Sequence, residues 1–311
     1  MREWGMSDFR SGFVAIVGRP NTGKSTLINA LVGSKIAITS HHPNTTRHAI
    51  RGIINGSDFQ AVLVDTPGVH KPRTLLGHRL NAVVNESMDS VDVIMMCLPA
   101  NEVAGAGDQF IAAELAKHPR AKKFALITKT DTVNKKTLAD RLMTINELAV
   151  GFSWDEIIPV SAVIHDQIEL LAKIIGDTLP HGPAFYPADQ KSDQGREKLI
   201  CELIREAAMR DALQELPHSI MVTIDEMSER EEKGSRPFFD IHATIHVERD
   251  SQTGIILGHQ GQRLKDIGMR ARKDIERELD ARIYLGLHVK VSKEWQRDPK
   301  LLERLGFTER K

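Results

Sequence analysis

The chain of 311 residues has little cysteine, no long apolar run and no net charge, and each lack excludes something. The two cysteines, Cys97 and Cys201, lie far apart and match no metal or redox spacing, so neither a disulfide framework nor a cysteine-built zinc site is expected. Both fall in apolar periodic segments and read as buried small hydrophobes, which fits a reducing cytoplasm. No run of about 18 apolar residues exists, so no membrane-spanning helix is expected. The start, MREWGMSDFRSGF, has no apolar signal core, which argues against secretion. Lysine and arginine number 42 and aspartate and glutamate 42. The part from Lys191 onward is balanced as well, so overall electrostatics give no support to nucleic-acid binding, and any such claim rests on local placement. There is no internal repeat and no low-complexity segment. What remains, 41% hydrophobic and 27% charged residues, is the composition of a soluble globular protein long enough for two domains.

The first ~180 residues alternate apolar runs with helical patterns. The runs are FVAIVG (13–18), FQAVLVD (59–65), VDVIMMCL (91–98), KFALIT (123–128) and EIIPVSA (156–162). Near-continuous apolar runs are expected of strands buried on both faces, and helices between them predict a doubly wound, mostly parallel α/β sheet. Ligands on such sheets bind at the carboxyl ends of the strands. A stretch rich in Pro, Gly and Asp, 181–195, then reads as a linker. After it the pattern is helix (196–213), strand (219–227), strand (238–250), a short apolar helix, the loop Gly258-His259-Gln260-Gly261, a basic helix, and a last strand (281–292).

GRPNTGKST (18–26) gives G-x-x-x-x-G-K-S directly after a strand and before a helical pattern, the context a phosphate loop requires. The backbone of Gly18, Arg19, Pro20, Asn21, Thr22 and Gly23 can close round phosphates. Lys24 reaches the β/γ-phosphates, Ser25 can ligate Mg²⁺, and Thr26 opens the helix whose N-terminus favours anions. Asp65-Thr66-Pro67-Gly68 ends the next strand: Asp65 is placed to hold Mg²⁺ through water, and the Gly68 N–H to touch the γ-phosphate. Thr128-Lys129-Thr130-Asp131 ends a later strand. A carboxylate there pairs with both N1–H and N2–H₂ of guanine, a donor pair adenine lacks, so Asp131 selects guanine while the Lys129 stem packs over the base. Ser161-Ala162 follows, where the Ala162 N–H can meet guanine O6. GTP, GDP and Mg²⁺ are the expected ligands; an ATPase is disfavoured by Asp131.

With these motifs and Asn44-Thr45-Thr46-Arg47-His48, the chain resembles the translation-factor-related GTPases, specifically the Era family, over nearly its whole length. The family's guanine motif normally begins with Asn, and Thr128 stands in its place. A hydroxyl is shorter than an amide that contacts guanine N7 and braces the phosphate loop, but related small GTPases use Thr there, so guanine binding is expected to survive, if weakened. Many GTPases orient the attacking water with a Gln after D-x-x-G. Val69 occupies that place, so turnover is expected to be slow. The resemblance further implies that Asn21 helps hold K⁺ near the β/γ-phosphates; a role in stabilising the turn is the alternative. Residues 40–52 and 70–88 read as the two switches, with Thr46, or else Thr45, on Mg²⁺ and the γ-phosphate. A tandem GTPase of the Der type would carry two phosphate loops; only one G-K-S is present.

The second part has the element order of a type II KH domain, so the whole is read as an α/β phosphate-loop GTPase domain (1–180) followed by an α+β KH domain (196–311). A KH loop clamps about four nucleotides of single-stranded RNA. Gly258 and Gly261 permit close backbone approach, and the next helix turns its N-terminus toward phosphate. Ile255, Ile256, Leu264 and Ile267 are candidates for the floor of an apolar groove. Arg263, Lys265, Arg270, Arg272 and Lys273 outnumber the single acid Asp266 along 262–273. His259 and Gln260 bring no fixed charge where the family often has lysine, so backbone N–H groups, Arg263 and Lys265 are expected to hold phosphate. The resemblance implies small-subunit ribosomal RNA near its 3′ end and the small ribosomal subunit as partners, with no DNA. It also implies loose contact with the inner face of the cell membrane, for which the sequence shows no anchor. An RNA-binding scaffold with a regulatory guanine-nucleotide pocket is the competing reading.

Overall fold

The computed structural model describes residues 8–39, 50–65, 88–210, 219–230, 236–297 and 302. Among these, two compact units separate: one holds the described residues up to Ala37 and from 50 through Asp193, the other Ile38, Thr39 and those from Gln194 onward.

The first unit is built on a six-stranded sheet of β1 (Arg10–Val17), β2 (Ile50–Asn55), β3 (Phe59–Asp65), β4 (Val93–Pro99), β5 (Lys122–Thr128) and β6 (Glu156–Pro159), in the order β2-β3-β1-β4-β5-β6. All neighbours run parallel except β2 against β3. Helices α1 (Lys24–Val32), α2 (Ala106–Leu115), α3 (Lys135–Thr144) and α4 (Ile168–Thr178) pack on its faces. The apolar runs divide by alternation, as a pleated strand requires. Val14 and Ile16 of β1 join a core with Leu27 and Ile28 of α1 and Leu171 and Ile175 of α4. Ala15 and Val17 join the opposite core with Ile111 and Leu115 of α2. This two-sided burial is why the strands read as continuous hydrophobic runs. Strand β2, within and just past the segment read as the first switch, was not expected. It is an antiparallel edge strand, and its Gly52 lets α1 close on the sheet: a Cβ there would lie 2.8 Å from Val32 Cγ2.

Residues 181–193, expected to belong to a linker, are instead strapped to this unit. The cause is Gln60, whose side chain is buried on β3. Its Oε1 accepts from the Phe185 and Tyr186 amides (2.7 and 2.9 Å), and its Nε2 donates to Asn55 Oδ1 and the Tyr186 carbonyl (2.7 and 2.9 Å). The Ile53 amide then donates to the Lys191 carbonyl (2.9 Å), and the Phe13 and Phe185 rings lie 4.9 Å apart. Sequence pattern marks such a stretch by its turn residues and cannot see a single glutamine reaching it from a strand.

The second unit is α5 (Arg196–Met209), β7 (Met221–Arg230), β8 (Phe238–Val247), α6 (Asp250–Leu257), α7 (Gln262–Leu279) and β9 (Arg282–Val291). The sheet order is β7-β8-β9, with β8 antiparallel to β7 and parallel to β9. One face is covered. Ile241, Ala243, Ile245 and Val247 of β8 meet Ile200, Leu203 and Ile204 of α5 and Ile267, Ala271 and Ile275 of α7. The last three are spaced four apart, which puts them on one side of the helix. Buried Trp295 pins the chain after β9 by donating to the Ser219 carbonyl (2.9 Å).

Gln60→Ala removes four hydrogen bonds, to the Phe185 and Tyr186 amides, Asn55 Oδ1 and the Tyr186 carbonyl. A loss of about 2–4 kcal/mol in chemical denaturation is expected, with faster proteolysis inside 181–193; wild-type cleavage there would show that Gln60 does not hold the strap.

Candidate functional site

The carboxyl ends of β1, β3, β5 and β6 gather the predicted nucleotide residues. Between Val17 and Lys24 the chain takes positive φ at Gly18 (152°), Asn21 (64°) and Gly23 (94°). Glycine is suited to the first and last, and asparagine tolerates the left-handed conformation at the middle one. Asn21 therefore does serve the turn. A Cβ on Gly18 would sit 2.8 Å from Thr22 Oγ1 and 2.9 Å from the Cys97 carbonyl, so the loop lies directly on β4.

Lys24 is buried beneath the loop, and its Nζ donates to the carbonyls of Gly18 (3.0 Å) and Arg19 (2.8 Å). Burial lowers its pKa, and the Asp65 carboxylate acts in the opposite direction. Cys97 lies below the same loop, and burial pushes its thiol up to about 12, so it stays neutral. Ser25 Oγ donates to Asp65 Oδ2 (3.2 Å), which brings a hydroxyl and a fully buried carboxylate together at the mouth of the loop. Thr26 and Pro20 are half-buried beside them.

Arg19 has two separate roles. Only its backbone carbonyl serves the phosphate loop, accepting from Lys24 and from Thr22 Oγ1 (3.0 Å). Its guanidinium pairs with Asp108 (2.8 Å) and Glu102 (2.9 Å), which raise its pKa. The fully buried Asp108 is held in turn by the Gly105 amide (2.9 Å).

Thr128 is buried and donates its hydroxyl to the Thr22 carbonyl (2.6 Å). The brace between guanine motif and phosphate loop, expected to be weakened by the loss of Asn, is present. The hydroxyl has a single proton, and the brace uses it. Lys129 takes a left-handed φ of 58°, turning the chain into a 3₁₀ turn over Thr130–Thr132. Asp131 is exposed, and its Oδ1 accepts from buried Ser161 Oγ (2.5 Å), which fixes the carboxylate that would meet the guanine edge. Ser161 and Asp166 exchange backbone hydrogen bonds (3.1 and 2.9 Å), a closed turn that carries Ala162. Thr46, Thr66, Pro67, Gly68 and Val69 lie outside the described residues.

In the second unit, α6 ends at Gly258 (φ 69°), and Gln260 (50°) and Gly261 (76°) are also left-handed. A Cβ on Gly258 would lie 2.6 Å from Arg263 Cβ, so glycine is required there for the loop to fold onto α7. At Gly261 a Cβ would meet nothing within 4 Å; only its φ asks for glycine. His259, Gln260 and Lys265 are exposed, Ile255, Arg263 and Leu264 half-buried. Ile256 and Ile267 are corrected: at 0% and 2% exposure they are core, because the helix phase turns them inward. Sequence reading missed the apolar side of β9, a sheet edge whose half-buried Leu285, Leu287 and Val289 pack against the same core. The alternation in LGLHV was its signal. A Cβ on Gly268 of α7 would be 3.6 Å from Leu287 Cδ1, so the helix lies close on that strand.

Residues 13–130 match the model of the 50S ribosome-binding GTPase family, and 215–296 that of the KH domain. The chain is 54% identical to GTPase Era of Streptomyces coelicolor over 96% of its own length and 95% of the relative's. It is 52% identical to GTPase Era of Mycolicibacterium smegmatis over 97% and 100%. The chain belongs to the Era family of GTPases. Among solved structures, Era in complex with MgGDPNP and nucleotides 1506–1542 of 16S ribosomal RNA superposes with a TM-score of 0.90 at 34% identity, over 97% of this chain and 100% of that one. A variant of Aquifex aeolicus Era bound to GDP and AlF₄⁻ gives 0.89 at 34% identity over the same shares.

As a member of this family the protein binds GTP and GDP with Mg²⁺ and hydrolyses GTP. Ser25 and Asp65 fit the metal: a hydroxyl and a fully buried carboxylate 3.2 Å apart are hard oxygen donors, and Mg²⁺ in such sites takes most of its other oxygens from phosphate and water. When bound, the ion neutralises charge on the β/γ-oxygens. The Lys24 ammonium is buried beside the Ser25–Asp65 pair and already oriented by two carbonyls of the loop.

Thr128→Val removes the brace and leaves the Thr22 carbonyl without that donor, so GTP affinity is expected to fall about tenfold (about 1.4 kcal/mol). Thr128→Asn restores an amide with a second proton for guanine N7 and is expected to tighten binding. Titration with a fluorescent guanine nucleotide measures both; equal affinities across the three proteins would remove Thr128 from the site.

Proposed function

We propose that this protein is a GTP-controlled switch that binds small-subunit ribosomal RNA near its 3′ end through the Gly258–Gly261 loop and assists maturation of the small ribosomal subunit. The observation that carries the reading is whole-chain likeness to an Era solved with both a GTP analogue and nucleotides 1506–1542 of 16S ribosomal RNA. In this reading residues 1–180, with 181–193 strapped to them, are the GTPase domain, and 196–311 the RNA-binding domain and tail.

Lys24 and Ser25 hold the β/γ-phosphates and Mg²⁺, joined by Thr46 and Gly68 from the switches, while Asp131, Lys129 and Ala162 take guanine. Val69 has no polar group to orient water, so intrinsic turnover is slow. Asn21 helps place K⁺ at the β/γ-phosphates, where an activator's arginine would otherwise put positive charge. Arg19 does not compensate, since its guanidinium is paired with Asp108 and Glu102. No helix among the described residues is long and apolar enough to cross a membrane.

GTPase rates measured in KCl and in NaCl at equal ionic strength are expected to differ several-fold in favour of K⁺, and equal rates would remove the role of Asn21. RNA crosslinking with sequencing is expected to give signal on small-subunit RNA near its 3′ end that disappears in Gly258→Asp and Gly261→Asp. Unchanged signal in both variants would refute the clamp.

A further inference from the structure

The helices of the second unit cover one face of its sheet, and the other face carries a pattern that the clamp does not explain. The outward row of β9 is Arg282, Tyr284, Gly286, His288 and Lys290: two cations, two rings and a glycine, with no acid. Arg282, Tyr284, His288 and Lys290 are all exposed, Tyr284 to 49%. Register sets Phe238, Asp240, His242, Thr244 and His246 of β8 beside them.

Gly286 stands opposite His242, and a Cβ on it would lie 2.7 Å from His242 Nδ1. The imidazole therefore lies across the glycine, with its centroid 5.8 Å from that of Tyr284. At the end of the row the Arg282 and Arg230 guanidinium groups stand 5.3 and 5.5 Å from the Phe238 ring centroid. The acids of this face are Asp240 on β8, opposite Tyr284, and Asp225 and Glu226 on β7, and β9 itself carries none. Asp240 pairs with Arg230 and lies 3.3 Å from His242 Nε2, Asp225 accepts from Thr244 Oγ1 (2.6 Å), and Glu226 is opposite His242 on β7. On β8 Asp240 is paired with Arg230, so the one outward row with cations and no acid is that of β9.

We infer that the outward row of β9 is a second RNA contact, a shelf that takes the single strand flanking the clamped nucleotides. The inference rests on the reading of Gly258–Gly261 as an RNA clamp. Strand β9 is the sheet edge, so its inward Leu285, Leu287 and Val289 wall the groove while its outward side chains form the shelf. A strand leaving the groove over this edge meets the shelf next. One base stacks on Tyr284 beside His242, and the adjoining phosphates pair with Arg282 and Lys290. The chemistry selects unpaired RNA: a duplex has its base faces already stacked and offers none to Tyr284. The acids on β7 and β8 repel phosphate and keep the strand on the β9 side.

Fluorescence anisotropy on the full chain tests this with two sets of probes: the RNA of nucleotides 1506–1542 of 16S ribosomal RNA, and five-nucleotide windows cut from it. Stacking on an aromatic ring is worth about 1–3 kcal/mol per base. Tyr284→Ala is therefore expected to weaken binding of the long RNA about tenfold while leaving the best window unchanged, and Tyr284→Phe to restore it. The double variant Arg282→Glu, Lys290→Glu is expected to flatten the salt dependence of the long RNA only. Long-RNA binding that is unaltered in both Tyr284→Ala and the double variant overturns the shelf. So does an equal loss for long RNA and window, which would mark a structural role. If no window binds the unaltered protein, or if Gly258→Asp spares window binding, the clamp reading has failed and the shelf falls with it.

Discussion

The first unit is organised around one buried cation. An ammonium group removed from water costs several kcal/mol unless hydrogen bonds and opposite charge compensate. Lys24 receives two carbonyls from the loop that covers it and the field of Asp65 beneath. Those carbonyls can point inward only because Gly18, Asn21 and Gly23 take positive φ. The loop is then held from outside at two further points: Thr128 grips the Thr22 carbonyl, and Arg19 is anchored to α2 through Asp108. The parallel sheet supplies the frame, because β1, β4 and β5 are adjacent and their ends bring these groups together without long connections. The result is a rigid cup of backbone dipoles around a cation that is under-solvated until phosphate arrives, the preorganised condition in which charge stabilisation is most effective.

The second unit solves a different problem. A sheet covered on one side has an edge and a face left over, and proteins must either blunt or use them. Here β9 is parallel to β8 and lies at the edge, with α7 close against it through Gly268. The basic helix can therefore present its N-terminus and the glycine loop beside an apolar wall. Arg263 and Lys265 stand at that terminus, and α7 has no acid in its first turn. The net neutrality of the chain is thus an average over strongly different local fields.

Much of this was legible in the sequence, for physical reasons that differ from residue to residue. The phosphate loop was readable because its chemistry is local: glycines for backbone shape, one lysine, one hydroxyl, at fixed spacing after a strand. The KH-like order was readable because the alternation of β8 is strict. What escaped was side-chain reach across the fold. Gln60 looks like any polar residue in a strand, yet it strings 185–191 onto the sheet. Arg19 sits in a phosphate-binding motif, yet its charge is committed to a helix some 90 residues on. Ile255 and Ile256 are adjacent in an apolar helix, and only the packed phase shows that one is half-buried while the other is core. The β2 strand was obscured because it adjoins a segment whose motif drew a different reading. The compensation at Thr128 could not be foreseen either, since it depends on how near the Thr22 carbonyl comes.

That compensation carries a further consequence. A side-chain amide at the head of the guanine motif has protons to spare; the hydroxyl of Thr128 has one, and the phosphate loop holds it. With that bond in place Thr128 has no proton for the five-membered ring of guanine, and under the proposed reading recognition leans on the pyrimidine edge, toward Asp131. Chemical change at N7, such as its replacement by carbon in a 7-deaza nucleotide, takes no hydrogen bond from Thr128. An analogue of that kind would separate this chain from GTPases that keep the asparagine.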